Sequence, residues 1–312
     1  MERRIIGIGE TVLDMVFRGG QPQAAVPGGS TFNALVSLGR TAGRDGVNVI
    51  MVTQMGDDPV SDIITSFMAQ NNLSTEAVRK EEGHQTTVSM AMLDESSNAS
   101  YEFLRDRTMP AFKACEIEFT AGDLVIFGSF FAINPETREE TRKLITKAKE
   151  AGAIIYYDVN FRKSHLAQLA EVKPYIEENC AMSTIVRASN EDIGYLYGCS
   201  DAKEVYSAHI SRLCTNYICT KGSDCTEVYS QGTHLEFPVE KIETVSTIGA
   251  GDNFNAGIVY GLLKGGYTAQ TARDLNAEDW KALVPTATLF SQNVCRSLFN
   301  YVDPDFSDTL KA

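Results

Sequence analysis

Short apolar runs separated by longer segments of helical period leave this chain few folds to choose from. The runs Ile5–Ile8, Val49–Thr53, Leu124–Phe127, Ile154–Asp158, Thr184–Ala188 and Tyr217–Thr220 have the length and composition of strands. Helical spacing marks Ser30–Thr41, Pro59–Gln70, Pro135–Ala151, Leu166–Asn179 and Ala202–Cys214, and later Ala250–Leu263 and Asp279–Phe299. Ser30 is a candidate N-cap, while Pro59 and Pro135 suit a first helical turn. Strand–helix alternation of this kind predicts an α/β fold with a largely parallel sheet and crossover helices.

Two stretches break the rhythm. Thr11–Phe17 alternates like a strand, with Val12, Asp14 and Val16 on one face. Thr86–Leu104 reads as a hairpin: Thr87–Leu93, a turn over Asp94–Asn98, then Ser100–Leu104. With no crossover helix between them, these pieces predict a small antiparallel sheet projecting from the main fold. It would form a lid from about residues 11–25 and 86–108. Without repeats, low-complexity tracts or long linkers, residues 1–312 are expected to form one domain carrying that lid.

The charge narrows the partners. A formal net charge of −13 repels nucleic-acid phosphates and anionic membranes, so neither is an expected partner. No apolar run approaches the roughly 20 residues that span a bilayer. Ile5–Ile8, broken by Gly7, is too short for a signal-peptide core, which points to the cytoplasm. Seven cysteines, with no Cys-x-x-Cys, argue against a disulfide framework or a zinc site.

Glycines carry the chemical signals. Gly7-Ile8-Gly9-Glu10-Thr11-Val12 starts like a dinucleotide fingerprint, but its third glycine position is Val12 and a strand pattern follows. No P-loop and no His-Arg-Asp catalytic loop is present. The strongest segment is Ser246–Gly257, where Gly249-Ala250-Gly251 leads into a helical run. Open amides at a helix N-terminus suit a phosphoryl group or an oxyanion. Asp252, in the first turn, can accept a proton from a hydroxyl beside that phosphate. Taken alone, the segment reads equally well as a Gly-rich turn with an acidic first-turn residue. In Pro27–Ala34, Gly28 and Gly29 allow close backbone approach, and Asn33 offers donors and acceptors for hydroxyls. Taken alone, it is more often a simple turn-to-helix junction.

Together, Pro27–Gly43 and Thr247–Gly257 resemble the two signatures of the ribokinase-like (PfkB) carbohydrate kinases, most like fructokinases. The resemblance covers essentially the whole chain. It implies a ribokinase-like three-layer α/β/α domain with a largely parallel central sheet and a small β-sheet lid, binding ATP, Mg²⁺ and a sugar. It implies Asp252 as catalytic base, with Gly249, Ala250 and Gly251 shaping the anion hole. It places Asp14, Gly28, Gly29 and Asn33 at the sugar, and Asn190, Thr220 and Gly222 at the nucleotide. Asp158-Val159-Asn160-Phe161-Arg162 is similar to the Asp-x-Asn-x-Arg segment of fructokinases and 2-keto-3-deoxygluconate kinases. Tyr101–Arg105 is similar to the lid stretch that covers fructose in fructokinases, which brings in Arg105. Many relatives dimerise through the lid, so a homodimer is consistent with the resemblance.

Two positions depart from the family pattern. Ser246 stands where an aspartate usually helps build a monovalent-cation site, which counts against potassium activation. Asn190-Glu191-Asp192-Ile193 has isoleucine in place of the glutamate of Asn-x-x-Glu, leaving Glu191 or Asp192 as the carboxylate for magnesium. The expected activity is transfer of the ATP γ-phosphoryl group to fructose. 2-Keto-3-deoxygluconate is the next acceptor, followed by other sugars or a nucleoside. A catalytically silent sugar- or nucleotide-binding protein is the reading from another class.

Overall fold

The computed structural model describes residues 3–93 and 99–311. Its main sheet is built from β1 (Arg4–Ile8), β4 (Asn48–Gly56), β5 (Leu73–Ser74), β6 (Val78–Glu81), β9 (Leu124–Gly128), β10 (Ile154–Asp158), β11 (Ile185–Ser189), β12 (Tyr217–Thr220), β13 (Cys225–Ser230) and β14 (Thr233–Pro238). The order is β14-β13-β12-β11-β10-β9-β1-β4-β5, with β6 beside the second half of β4. Pairing is parallel from β5 to β12, and the β13–β14 hairpin adds an antiparallel edge.

The six anticipated strands all occur, and burial explains why they were legible. Ile5 packs into a core on one face of the sheet, with Phe32, Leu35, Ile258 and Trp280 from helices. Ile6 and Ile8 pack into a second core on the other face, with Ile145, Val172 and Ile176. A strand covered on both faces needs apolar residues at every position. Helices lie on both faces: Ser30–Leu38, Pro59–Gln70, Ala250–Lys264 and Ala277–Cys295 on the first, and Pro135–Glu150, Leu169–Met182 and Asn190–Tyr197 on the second.

A second sheet holds β2 (Val12–Arg18), β3 (Gln21–Gly28), β7 (Val88–Leu93) and β8 (Ala99–Leu104), ordered β3-β2-β7-β8. It corrects the expectation of an antiparallel lid. The outer pairs are antiparallel, but the central pair β2–β7 is parallel, because the chain returns to β2 through the main sheet instead of a hairpin. The anticipated turn at Asp94–Asn98 lies outside the described residues.

Several boundaries shift for physical reasons. The first helix is capped by Gly29, at φ 125°, and Ser30 is its first residue instead of the cap. It ends at Leu38 and continues as a π-turn over Gly39–Gly43. The segment Ala202–Cys214 shortens to a helix at Ala202–Val205 and a π-turn at Tyr206–Ile210. Asp58 and Asn134 cap the helices begun by Pro59 and Pro135, as the prolines suggest. Among the described residues no helix is long and apolar enough to cross a membrane. All seven cysteines are free thiols.

One topological fact positions the site. β1 pairs with β4 on one side and β9 on the other, so the strand order reverses beside β1. Ligands of open α/β sheets bind at the carboxyl ends of strands near such a reversal.

Candidate active site

Asp252 lies in the first turn of Ala250–Lys264, after Gly249 in the left-handed region at φ 77°. Helical geometry leaves first-turn amides without intrahelical acceptors. Ala250 N–H is turned back to Thr247 O at 3.2 Å, so Gly251 and Asp252 present the open donors. The Asp252 side chain is buried, and its Oδ2 accepts a 2.9 Å hydrogen bond from Asn33 Nδ2. Burial pushes this carboxyl up to about 6. The Asn33 hydrogen bond pulls it down, the Asp158 charge raises it, and Arg162 lowers it. It is therefore ionised at neutral pH yet more basic than an exposed aspartate.

Asn33 adds more than an orienting donor. Its Oδ1 is buried with no hydrogen-bond partner, so a hydroxyl placed beside Asp252 would find an acceptor there. Asn160, at φ 38°, donates from Nδ2 to Ser30 Oγ at 3.0 Å, and Ser30 is also within hydrogen-bonding reach of Asp252. The cluster thus joins the end of β10 to the start of the first helix.

A buried polar chain runs beneath this cluster, and its centre was not singled out in the sequence. Arg187, on β11, donates from Nη1 to Asp158 Oδ1 at 3.0 Å and from Nη2 to Thr220 Oγ1 at 2.5 Å. Asp158 Oδ2 accepts from Asn255 Nδ2 at 2.7 Å, and Tyr156 Oη donates to Asn255 Oδ1 at 2.8 Å. The guanidinium also packs against the Gly251 backbone, where a Cβ would stand 3.0 Å from Nη2. Burial works against the Arg187 charge, but Asp158 and Asp192 outweigh it and keep the group protonated. The available signal was a lone arginine in the apolar run Ile185-Val186-Arg187-Ala188, where a buried charge requires a partner.

The other end of the crevice is acidic. Asp14 on β2 is buried and accepts from Ser89 Oγ on β7. Burial pushes its carboxyl to about 6; Ser89 opposes this and the Glu10 charge adds to it. Gly28 and Gly29 let the chain pass here. A Cβ on Gly28 would lie 2.2 Å from Asp14 Oδ2, and one on Gly29 would lie 2.3 Å from Glu10 O. Arg105 pairs with the Glu10 carboxylate and lies 4.9 Å above the Phe103 ring.

The nucleotide candidates are more dispersed. Thr220 ends β12 and belongs to the Arg187 chain, while Gly222 follows in the left-handed region at φ 57°. Asn190 opens its helix and Glu191 is exposed, so the proposed metal carboxylate points to no cluster among the described residues. Asp192 is buried instead, in a capping box with Ser189, and Ile193 packs in the core. Arg162 is exposed but close enough to act on Asp252 and Asp192. Ser246 Oγ accepts from Ile248 N–H at 3.2 Å and contributes no charge. A separate groove of about 740 Å³, between Ala24–Pro27, Phe67 and Tyr301, holds none of the acidic residues of the crevice.

The arrangement places a buried basic carboxylate, open helix amides and two arginines at one end of a crevice, with hydrogen-bonding carboxyls at the other. Residues 17–277 match the family described as pfkB family carbohydrate kinase. A fructokinase of Klebsiella pneumoniae is 24% identical over 298 residues, covering 92% of this chain and 94% of that protein. Among solved structures, fructokinase from Vibrio cholerae O395 with fructose, ADP and calcium superposes with a TM-score of 0.82 at 20% identity, covering 96% of this chain and 94% of that one. Aminoimidazole riboside kinase from Salmonella enterica, with aminoimidazole riboside and an ATP analog, gives 0.82 at 19% identity, covering 99% of both chains.

Proposed function

The chain belongs to the pfkB family of carbohydrate kinases, and from that premise we propose that it transfers the γ-phosphoryl group of ATP to a hydroxyl of fructose. The observation that carries the reading is Asp252: a buried carboxylate beside open first-turn amides, with a buried asparagine holding one oxygen.

In this reading the fructose hydroxyl lies between Asp252 and Asn33. Asp252 takes the hydroxyl proton as the oxygen attacks the γ-phosphorus and the bond to the leaving ADP breaks; a carboxyl near 6 is ionised at neutral pH yet accepts that proton more readily than an exposed aspartate. The Gly251 and Asp252 amides face the charge that spreads over the transferring group, and Arg162 adds a positive charge. Asp14 accepts hydrogen bonds from the far hydroxyls, with Ser89 behind it donating to its other oxygen. Closure of the second sheet would exclude water that otherwise competes for the phosphoryl group.

Mg²⁺ bound with ATP would neutralise phosphate charge. The carboxylates nearby do not fit a protein-held ion: Asp192 is buried, accepts from Ser189 N–H and faces the positive charges of Arg187 and Arg162, while Glu191 is exposed, so the ion would be held by the nucleotide phosphates and water. A cytoplasmic location and a homodimer through the second sheet complete the reading.

An assay of ATP consumption with fructose, 2-keto-3-deoxygluconate, ribose and adenosine tests it. Fructose is expected to give the highest kcat/KM. Asp252→Asn is expected to lower kcat by about 10²–10⁴-fold while fructose still binds. Turnover of another acceptor without fructose would overturn the substrate, and binding without ATP consumption would favour a silent binding protein.

A further inference from the structure

Glu10 was given no role by its position in the sequence, yet the fold sets it at the mouth of the crevice. It follows β1 directly, beside the point where the strand order reverses. Its backbone carbonyl lies against Gly29, and its carboxylate takes both terminal nitrogens of Arg105, with Nη2 to Oε2 at 3.2 Å. Such a two-pronged pair occupies the fork that makes arginine a carboxylate binder. Arg105 reaches Glu10 from the end of β8, 95 residues away, so the pair bridges the two sheets.

The charge count follows from geometry. Glu10 and Asp14 supply two carboxyls at this end, near enough that Glu10 opposes ionisation of Asp14. Arg105 supplies the balancing cation, and Glu10 already holds it. Arg162 acts at the opposite end, on Asp252 and Asp192. His165 lies within electrostatic range of Arg105, and burial lowers its pKa, which keeps it neutral. An incoming sugar carboxylate would have to displace Glu10 from Arg105 and leave it beside Asp14. A neutral polyol meets no such repulsion and can hydrogen-bond to Asp14 with the ion pair intact.

We infer that Glu10 is a specificity-determining residue: by occupying Arg105 it restricts the acceptor to uncharged polyhydroxy compounds and rejects sugar acids. This rests on the reading of the Asp252 crevice as a sugar-kinase site. The pair is partly exposed, with side chains 49% and 31% accessible, so its own contribution to stability is small. Its effect on specificity comes from the sign of the charge presented, not from the strength of the pair.

The test compares kcat/KM for 2-keto-3-deoxygluconate and for fructose, at low salt, in the wild type, Glu10→Gln, Glu10→Asp and Glu10→Gln/Arg105→Gln. Binding of both sugars is measured by calorimetry without ATP. Removing one close like charge and freeing one guanidinium should raise the acid-to-fructose ratio by about tenfold or more in Glu10→Gln. Glu10→Asp should keep the wild-type ratio, and the double variant should lose the gain. A structural role would lower both sugars together and leave the ratio fixed, which would overturn the inference. So would a wild type that already prefers the acid. If the wild type phosphorylates neither these sugars nor ribose nor adenosine, the kinase reading itself fails, and the calorimetric ratio still decides the role of Glu10.

Discussion

Replacing Asp252 with asparagine should make the protein more stable while removing its activity. The Asp252 carboxyl sits near 6 when folded, against an ordinary value of 3.8, chiefly because burial penalises its charge. That difference is worth about 3 kcal/mol at neutral pH. The sign follows from linkage. Below about pH 4 the group is protonated in both folded and unfolded chains and costs nothing. As pH rises from about 4 to about 6 the unfolded chain ionises first, and the folded state loses relative stability; above that the loss is constant. Asparagine cannot ionise, so Asp252→Asn avoids the loss, and its Oδ1 can keep the 2.9 Å bond from Asn33. Its extra buried N–H donors return part of the gain, so a net stabilisation of about 1–3 kcal/mol is expected at pH 8, shrinking towards zero near pH 4. Urea unfolding of both proteins across that range measures it. A difference that stays flat with pH would mean that Asp252 is not held as a desolvated carboxylate, and the argument for its basicity would fall with it.

Two further outcomes follow from the buried chain and the glycine pair. Arg187→Met should destabilise the protein by about 3–5 kcal/mol, because Asp158, 3% exposed, loses its counter-charge. Adding Asp158→Asn should recover much of that loss in urea unfolding; a single-variant cost under about 1 kcal/mol would contradict the coupling. Gly28→Ala puts a Cβ 2.2 Å from Asp14 Oδ2, so the carboxylate must move. Displacement by about 1 Å should cost up to about 10²-fold in kcat/KM for fructose with little change in melting temperature, and unaltered kinetics would remove Asp14 from the acceptor end.

How much was legible depended on where each residue found its partners. β1, β4, β9, β10, β11 and β12 could be read directly, since burial on two faces writes an apolar run into the sequence. The β13–β14 hairpin could not. Its buried positions include Thr226, Glu227 and Ser230, and Glu227 is tolerable only because Lys221, Tyr229 and His234 converge on it. The turn between them, with Gln231 and Gly232 both at positive φ, carried the usable signal. Asp252 and its helix turn were legible because the chemistry is local to a few consecutive residues. Arg187 and Glu10 were not, because their partners lie 29 and 95 residues away in sequence. Tertiary pairing decides whether such a charge is a solvated side chain or part of a site.

The place of β1 in the sheet also bears on how the chain reaches this structure. β1 emerges before the other strands of the sheet and pairs with β4, Ile5 against Val49, but its other neighbour β9 begins only at Leu124. At a translation rate of about 5–20 residues per second, that edge waits on the order of 10 s for its partner. Meanwhile Ile5, Ile6 and Ile8, fully buried in the finished protein, border an unsatisfied strand. Parallel pairing across such separations is slow to form, so this apolar edge is expected to stay open to aggregation until β9 arrives.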